Sequence, residues 1–202
     1  GHFDWHLPNL GQVSLANGNG AELWNQDAAG WEKIKQRTMS LRPQVGGFFD
    51  YGGTFYGLRN GNMLVMAGIG DWITGVLQRD GVPVRSVVPS QGGIQWTESY
   101  SIGKGSAKAA TVRQFIQYML SPQGQVRSAC MLAYPANCVT RGGRTLLGEK
   151  DPWEAERSSQ IDGAEDDPLR LLREGRIHYR SLPQQQSLET WETFWQDYKA
   201  AS

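Results

Sequence analysis

The sequence predicts an α/β fold, and three observations support this prediction. Short apolar runs typical of strands alternate along the chain with patterns typical of amphipathic helices. In the longer helical patterns, apolar residues recur every three to four positions, as one face of a helix requires. The chain has 202 residues, which is enough for one large domain or two small lobes.

The first part of the chain is expected to be irregular over residues 1–12 and to form a strand over residues 13–15. Asp27 then provides an N-cap for a helix, because its side chain can accept a hydrogen bond from a backbone amide of the first turn. Pro43 prevents the helix from continuing. One face of this helix is predicted to carry Trp31, Ile34 and Thr38.

The second part is predicted to alternate two strands with two short helices. The strands cover residues 45–49 and 63–68, and the second is a nearly continuous apolar run, as expected of a buried strand. Thr54 is expected to cap the first helix, which ends at a left-handed turn around Gly61. Asp71 is expected to cap the second helix.

Two further strands are expected over residues 84–88 and 98–102, on either side of the stretch Gly92-Gly93-Ile94-Gln95. Alternate residues of a strand point to the same side, so Trp96 and Glu98 are expected to face the same way. A carboxylate beside an aromatic face can hold an ammonium group through charge pairing and cation–π attraction. The alternative is a core tryptophan next to a solvated glutamate.

The clearest helix is expected over residues 106–120, where six apolar residues share one face. Ser121 and Pro122 then start another helix, with an N-cap and a proline at the first position. The loop Tyr134-Pro135-Ala136-Asn137 ends it. Cys130 and Cys138 are either two free buried thiols or, in an oxidising compartment, one disulfide.

In the last part of the chain, residues 141–186 are polar, and their acidic cluster Glu165-Asp166-Asp167 is predicted to be a solvated surface loop. A short helix is expected over residues 169–172. A final helix follows Pro183 and carries an apolar stripe that is expected to dock on the protein, because its polar face is not basic. The stripe consists of Leu188, Trp191, Phe194, Trp195 and Tyr198.

Composition excludes several classes of protein. The chain has 20 basic and 20 acidic residues, so it lacks the net positive charge that is typical of nucleic-acid-binding proteins. No apolar run approaches the length of a membrane span. The three histidines have no zinc-binding spacing. No pairing of a nucleophile with a base stands out, so neither a cofactor nor an enzymatic activity is expected.

The order of several short motifs resembles that of a periplasmic solute-binding protein of an ABC importer, in the spermidine/putrescine-binding branch. The resemblance covers most of the chain, from about Gly11 to the C-terminus. The matching motifs are Gly11-Gln12-Val13-Ser14, Phe48-Phe49-Asp50-Tyr51-Gly52, Asn60-Gly61-Asn62, Gly92-Gly93-Ile94-Gln95-Trp96-Thr97-Glu98, Ser121-Pro122, Tyr134-Pro135-Ala136-Asn137, Leu182-Pro183 and Trp191-Glu192-Thr193-Phe194-Trp195.

This resemblance implies a type II periplasmic-binding-protein fold, in which two α/β lobes close on a ligand. Residues 1–102 would belong to the second lobe, residues 103–145 would cross to the first lobe, and residues 146–202 would return to the second lobe and form the C-terminal helix. The second lobe would be largely complete and the first only partly present. A swapped or associated second copy would then supply the missing part.

The resemblance also implies a set of ligand-binding residues. Trp96 and Glu98 match the family's Trp-x-Asp ligand motif, with glutamate in place of aspartate. Tyr134 matches a tyrosine that faces the ligand, and Asp50 matches a Ser or Asp position near the ligand. The family's tryptophan after the buried strand is absent, and Trp72, a few residues further on, is the candidate substitute.

The implied function is capture of a small cationic solute, such as a polyamine, in the periplasm and its delivery to a permease of the inner membrane. Two alternatives remain open. The solute could be an amino acid, an opine, thiamine or a metal chelate, because the ligand motifs depart from those of the polyamine branch. The chain could also be a truncated sensory or structural domain that keeps the fold without binding a ligand.

Overall fold

The computed structural model describes residues 1–159 and 168–201, over which the fold is mixed α/β and mostly helical, so the predicted class is confirmed in this general form. The α-helices are α1 (His6–Ala16), α2 (Ala28–Leu41), α3 (Tyr51–Arg59), α4 (Trp72–Arg79), α5 (Ala109–Leu120), α6 (Pro122–Ala129), α7 (Arg141–Lys150), α8 (Pro152–Ser159), α9 (Pro168–Arg173) and α10 (Leu188–Ala200). The strands are β1 (His2–Phe3), β2 (Phe48–Phe49), β3 (Gly93–Gln95) and β4 (Ile177–Tyr179).

The chain divides into two compact units. Unit 1 comprises Gly1–Gly70, Val87–Trp96 and Pro168–Ser202, and unit 2 comprises Asp71–Ser86 and Thr97–Asp167. The chain therefore passes from one unit to the other more than once. The segments 1–102, 103–145 and 146–202 were assigned to lobes by resemblance, and that assignment stays a prediction.

Unit 1 contains two short parallel sheets within its described residues. β1 pairs with β2, and β3 pairs with β4, with Gly93 opposite Ile177. Gly92 precedes β3 with a φ of 119°, and a Cβ there would lie 2.8 Å from the carbonyl oxygen of Arg176. This approach requires a glycine. It fixes the start of β3, which leads directly into Trp96.

The core of unit 1 is formed where α1, α2 and α10 pack together. Trp191 is fully buried, and its ring stacks on that of Trp31 with 5.0 Å between the centroids. Trp195 and Tyr198 are buried on the same face of α10. The predicted docking of this stripe is therefore confirmed for most of its residues, while Leu188, in the first turn, remains 40% exposed.

The core of unit 2 lies between α6, α7 and α8 and contains Ala129, Cys138 and Leu147. Side-chain caps begin two of these helices. Ser121 Oγ accepts a hydrogen bond from the Gly124 amide at 3.2 Å, and Thr140 Oγ1 accepts one from the Gly143 amide at 3.1 Å. The predicted Ser121 cap is confirmed.

The strand predicted over residues 13–15 is wrong, because these residues belong to α1. Nearly every residue of α1 is buried, so its apolar positions show no helical periodicity. Gly11 lies inside the helix and does not break it. A Cβ on Gly11 would come within 2.7 Å of the Ile94 and Trp24 side chains, so the glycine permits close packing.

The strands predicted over residues 63–68, 84–88 and 98–102 are also wrong, because all three segments are irregular. A strand requires a hydrogen-bonded neighbour, and an apolar run alone does not supply one. Leu64 is 92% exposed, and the first segment makes a single bridge, from Ala67 to His2. Of the strand predicted over residues 45–49, only β2 forms.

Two predictions about helices also require correction. The cap of α3 is Asp50 rather than Thr54, since Asp50 Oδ1 accepts a hydrogen bond from the Gly53 amide at 2.7 Å. Within the polar residues 141–186 the sequence indicated one short helix, but the structure has α7, α8 and β4 there as well as that helix, α9. The apolar stripe of α7 is too narrow to give a periodic pattern, as only Gly143 and Leu147 are buried. The acidic cluster Glu165-Asp166-Asp167 lies outside the described residues.

Both cysteines are free thiols, as one alternative predicted, but that alternative also expected both to be buried, and only one of them is. Cys130 is exposed at the end of α6, and Cys138 is buried in the core of unit 2. Burial raises the pKa of both thiols, and the nearby carboxylate of Asp151 raises that of Cys130 further.

Candidate functional site

Three of the five predicted ligand-binding residues come together in unit 2. The hydroxyl of Tyr134 donates a hydrogen bond to Glu98 Oε1 at 3.2 Å. The rings of Tyr134 and Trp72 are in contact, with 4.5 Å between their centroids and a tilt of 49°. A carboxylate and two aromatic rings therefore form one cluster, which we call the Glu98 cluster.

Glu98 is the charged member of the cluster and lies on an exposed, irregular segment after β3. An exposed carboxylate beside an aromatic hydroxyl can receive an ammonium group through charge-assisted hydrogen bonds. The Tyr134 hydroxyl holds Glu98 at one of its oxygens and thereby restricts where the carboxylate points. The arrangement suits recognition of a cation.

Tyr134 is held by an anchored loop. Pro135, the next residue, is buried, and the Ala136 amide donates a hydrogen bond to the Ser128 carbonyl at 3.0 Å. The Val139 amide donates to Gln125 Oε1 at 2.7 Å. These contacts tie the loop to α6. The half-buried ring of Tyr134 thus presents its hydroxyl from a fixed backbone.

Trp72 lies at the start of α4 and is 6% exposed. Little of its ring is available to a ligand, so within the Glu98 cluster its contact is with the ring of Tyr134. A buried aromatic that packs against another ring restricts the rotation of that ring. Trp72 is therefore placed to position Tyr134.

An ion network centred on the buried Glu154 joins α4 to α8. Arg157 contacts Glu154 at 2.5 Å and Asp71 at 3.5 Å, and Arg79 contacts Asp151 at 2.6 Å. Burial opposes the charge of Arg157, but its hydrogen bonds to Glu154 and Asp71 outweigh burial and raise the pKa of the guanidinium. This network was not predicted from the sequence. The only signal for it was the three-residue spacing of Glu154 and Arg157.

The other two predicted residues, Asp50 and Trp96, belong to unit 1. Asp50 is exposed, and one of its carboxylate oxygens caps α3. Trp96 is half-buried and directly follows β3. The expectation that Trp96 and Glu98 share one side of a strand is wrong, because β3 ends at Gln95 and neither residue is in a strand.

Two further structural findings concern the residues 1–159 and 168–201. In this part of the chain, no helix has both the length and the apolar character needed to cross a membrane. The same residues contain no group of three or more His, Cys, Asp and Glu side chains placed to hold a metal ion.

Comparison with known proteins defines the class of this chain as solute-binding. Residues 52–156 match the profile of a family described as bacterial extracellular solute-binding protein, and the match covers just over half of the chain. The chain therefore belongs to this family, which binds solutes and is non-enzymatic. Membership implies a periplasmic-binding-protein-like fold, a solute ligand and association with an ABC transporter.

Neither a curated protein nor a solved structure matches the chain. The matched residues run from the first turn of α3 to the middle of α8 and include the whole Glu98 cluster. The predicted membership of a solute-binding family is confirmed. The polyamine branch and the five ligand-binding residues stay predictions.

Proposed function

We propose that this protein is the solute-binding component of an ABC importer and that its solute is a small cation of the polyamine type. Family membership supports the first part of this proposal. The Glu98 cluster supports the second, because it combines an exposed carboxylate with aromatic side chains. The observation that carries the proposal is the hydrogen bond from Tyr134 to Glu98.

In the proposed complex, Glu98 pairs with an ammonium group of the solute. Tyr134 holds the carboxylate and contacts the solute with its ring, and Trp72 supports that ring. Asp50 and Trp96 are proposed as further contacts, the first through its carboxylate and the second through its ring. The proposed place of action is the periplasm, where the protein would pass the solute to a permease of the inner membrane.

Calorimetric titration with spermidine and putrescine tests this function. We expect saturable binding of at least one of them to the wild-type chain. Loss of one charge-assisted hydrogen bond should weaken binding roughly tenfold to a hundredfold in Glu98→Gln. Glu149→Gln is the matched control, since Glu149 is also exposed in unit 2 but lies at the end of α7, and its affinity should equal that of the wild type.

The same titrations distinguish the proposal from its alternatives. The polyamine assignment would be contradicted if neither polyamine binds but an amino acid, thiamine or a metal chelate does. That result would still agree with the solute-binding function of the family. If Glu98→Gln and the wild type bind a polyamine with equal affinity, this result would contradict the placement of Glu98 in the binding site. A thermal-shift screen over cationic and anionic solutes extends the test to ligands of other classes, because a bound solute raises the unfolding temperature.

A further inference from the structure

Arg157 places a guanidinium group in the interior of unit 2, where its side chain is 10% exposed. Two of its nitrogens, Nη2 and Nε, donate to Glu154 on the same helix at 2.5 and 3.1 Å. Its third nitrogen, Nη1, contacts the carboxylate of Asp71 at 3.5 Å. A buried guanidinium requires such partners because its removal from water is costly. Its position is therefore fixed by carboxylates on two separate segments of the chain.

The helix α4 leaves room for this guanidinium at Gly75. Gly75 lies four positions after Asp71, so both residues belong to one face of the helix. A Cβ on Gly75 would lie 2.7 Å from Nε and 2.8 Å from Cζ of Arg157. The φ of Gly75 is not positive, and glycine weakens a helix relative to alanine, so this close approach accounts for the glycine. Arg157 therefore lies directly against the first turns of α4.

A series of contacts leads from this end of α4 to the Glu98 cluster. Asp71 immediately precedes Trp72, the first residue of the helix. The ring of Trp72 is buried and contacts the ring of Tyr134, whose hydroxyl donates a hydrogen bond to Glu98. All of these residues belong to unit 2. A displacement of the first turn of α4 would therefore move the ring that supports Tyr134.

We propose that Arg157 is a positioning residue of the Glu98 cluster. By holding Asp71 and packing against Gly75, it sets where α4 begins, and Trp72 transmits that position to Tyr134 and thereby to the Glu98 carboxylate. Side chains that recognise a ligand need such support, because small displacements weaken charge-assisted hydrogen bonds. For polyamine binding, the proposal rests on the function proposed above.

The geometry requires arginine at this position. The planar guanidinium contacts Glu154 along one edge and Asp71 through its remaining nitrogen. The ammonium group of lysine is a single compact charge and cannot reproduce this fork. Arg157→Lys therefore keeps the charge and loses the simultaneous contact with both carboxylates.

The other arginine of the network provides an internal comparison. Arg79 is the last residue of α4, and it contacts Asp151 at 2.6 Å and Glu154 at 3.3 Å. Its guanidinium also lies over the ring of Trp153, 4.4 Å from the centroid. Arg79 thus joins the network to the end of α4 that is remote in sequence from Trp72, whereas Arg157 joins it to the end that carries Trp72.

Fluorine NMR of the full chain labelled with 3-fluorotyrosine tests the proposal without any ligand. The chain has seven tyrosines, and the Tyr134 signal is identified by its loss in Tyr134→Phe. We expect Arg157→Lys and Gly75→Ala each to shift this signal by more than its linewidth, because the ring moves relative to that of Trp72. Gly75→Ala displaces the guanidinium and raises helix propensity, so it tests the contact without weakening the helix itself.

Two substitutions of the same types serve as matched controls. Arg113→Lys changes an exposed arginine of α5. Gly148→Ala adds a Cβ inside α7 that would meet no atom within 4 Å among the described residues. Both controls should leave the Tyr134 signal unchanged. Circular dichroism verifies that every variant is folded.

Calorimetric titration with putrescine in a double-mutant cycle extends the test to binding. We expect Arg157→Lys to weaken the affinity roughly fivefold in the wild-type background and by less than about twofold in the Tyr134→Phe background. The second loss is smaller because the hydroxyl that holds Glu98 is already absent. An effect on stability alone would give the same loss in both backgrounds.

Three results would overturn the proposal. The first is an unchanged Tyr134 signal in both Arg157→Lys and Gly75→Ala, and the second is an equally large shift in the two controls. The third is an equal loss of affinity in the two backgrounds. Absence of putrescine binding to the wild type would instead contradict the proposed function, and the fluorine signal would still decide whether Arg157 positions Tyr134.

Discussion

Glu98 and Tyr134 lie 36 positions apart in the chain and meet through one hydrogen bond of 3.2 Å. The geometry of the candidate site therefore depends on contacts that no local pattern contains. The loop of Tyr134 is tied to α6 by backbone and side-chain hydrogen bonds, and the Tyr134 ring rests on Trp72. These contacts orient the Glu98 carboxylate through one of its oxygens, and the segment that carries Glu98 is exposed to solvent.

Glu154 is the most buried member of the ion network in unit 2. Its side chain is 3% exposed and contacts both Arg157 and Arg79. Glu154→Gln removes the negative charge and leaves Arg157, itself 10% exposed, without its closest counter-charge. We expect the free energy of unfolding to fall by about 2 to 3 kcal/mol, measured by urea denaturation.

Glu149→Gln again provides the control for this substitution, because Glu149 is exposed. Its free energy of unfolding should remain within about 0.5 kcal/mol of the wild-type value. Equal effects of the two substitutions would show that the buried network contributes no more than a surface charge does.

At the scale of elements, α3 begins at a residue with two proposed roles. Asp50 caps the helix through its side chain, and it is also a predicted ligand-binding residue. Asparagine caps a helix as well as aspartate does, whereas alanine does not. We therefore expect Asp50→Asn to preserve the free energy of unfolding and to weaken polyamine binding, and Asp50→Ala to cost about 1 kcal/mol of stability in addition.

Urea denaturation and calorimetric titration of the same two variants separate these roles. A loss of stability in Asp50→Asn as large as that in Asp50→Ala would contradict the capping role. Unchanged polyamine affinity in both variants would remove Asp50 from the proposed site.

The C-terminal helix α10 is joined to the segment before α1 by an acid-sensitive contact. Asp4 accepts hydrogen bonds from Lys199 Nζ at 2.9 Å and from Trp195 Nε1 at 2.8 Å. Burial of Asp4 opposes its ionisation, but these hydrogen bonds outweigh burial and lower the pKa of the carboxyl below its ordinary value of 3.8. A lowered carboxyl pKa stabilises the folded state above the unfolded-state pKa, and this contribution is lost as the pH falls through the folded-state pKa.

Asp4→Asn should therefore lower the free energy of unfolding near neutral pH by about 1 kcal/mol, a small value because the pair is partly solvated. The difference from the wild type should shrink as the pH falls from 3.8 through the lowered pKa of the folded state, where the Asp4 carboxyl of the folded protein becomes protonated. Denaturation curves at several pH values measure this difference in the free energy of unfolding. Asp197→Asn, at an exposed position of α10, is the control. A difference that stays constant with pH would contradict the account.

Elements with a complete local signature were predictable from the sequence. α2 has the Asp27 cap and one buried face, and α10 has an apolar stripe that is buried over most of its length. The predicted strands failed because a strand is stabilised by a partner that its own sequence does not specify. α1 was missed for a different reason, since a helix buried on nearly all sides has no periodic polar face.

The candidate site was predictable only in part. Family resemblance selected Trp72, Glu98 and Tyr134 individually, and the structure brings these three together. Local reasoning paired Trp96 with Glu98 by strand alternation, and this failed because β3 is only three residues long. Contacts between distant parts of the chain determine which aromatic ring lies beside the Glu98 carboxylate. The spacing of residues in the sequence does not reveal these contacts.

At the scale of the whole molecule, two compact units have separate apolar cores, one around α1, α2 and α10 and the other between α6, α7 and α8. The family match runs from the first turn of α3 to the middle of α8, so it includes residues of both units. The net charge of zero conceals the basic stretch over residues 99–148. A neutral total therefore does not exclude a locally basic surface.

The central claim is that Glu98 recognises an ammonium group, and a calorimetric double cycle tests it most directly. Putrescine and 1,4-butanediol, which replaces both ammonium groups with hydroxyls, are titrated into the wild type, Glu98→Gln and the control Glu149→Gln. We predict that the wild type and the control prefer putrescine by roughly tenfold or more and that this preference is roughly tenfold smaller in Glu98→Gln. An equal preference in all three proteins would contradict the claim.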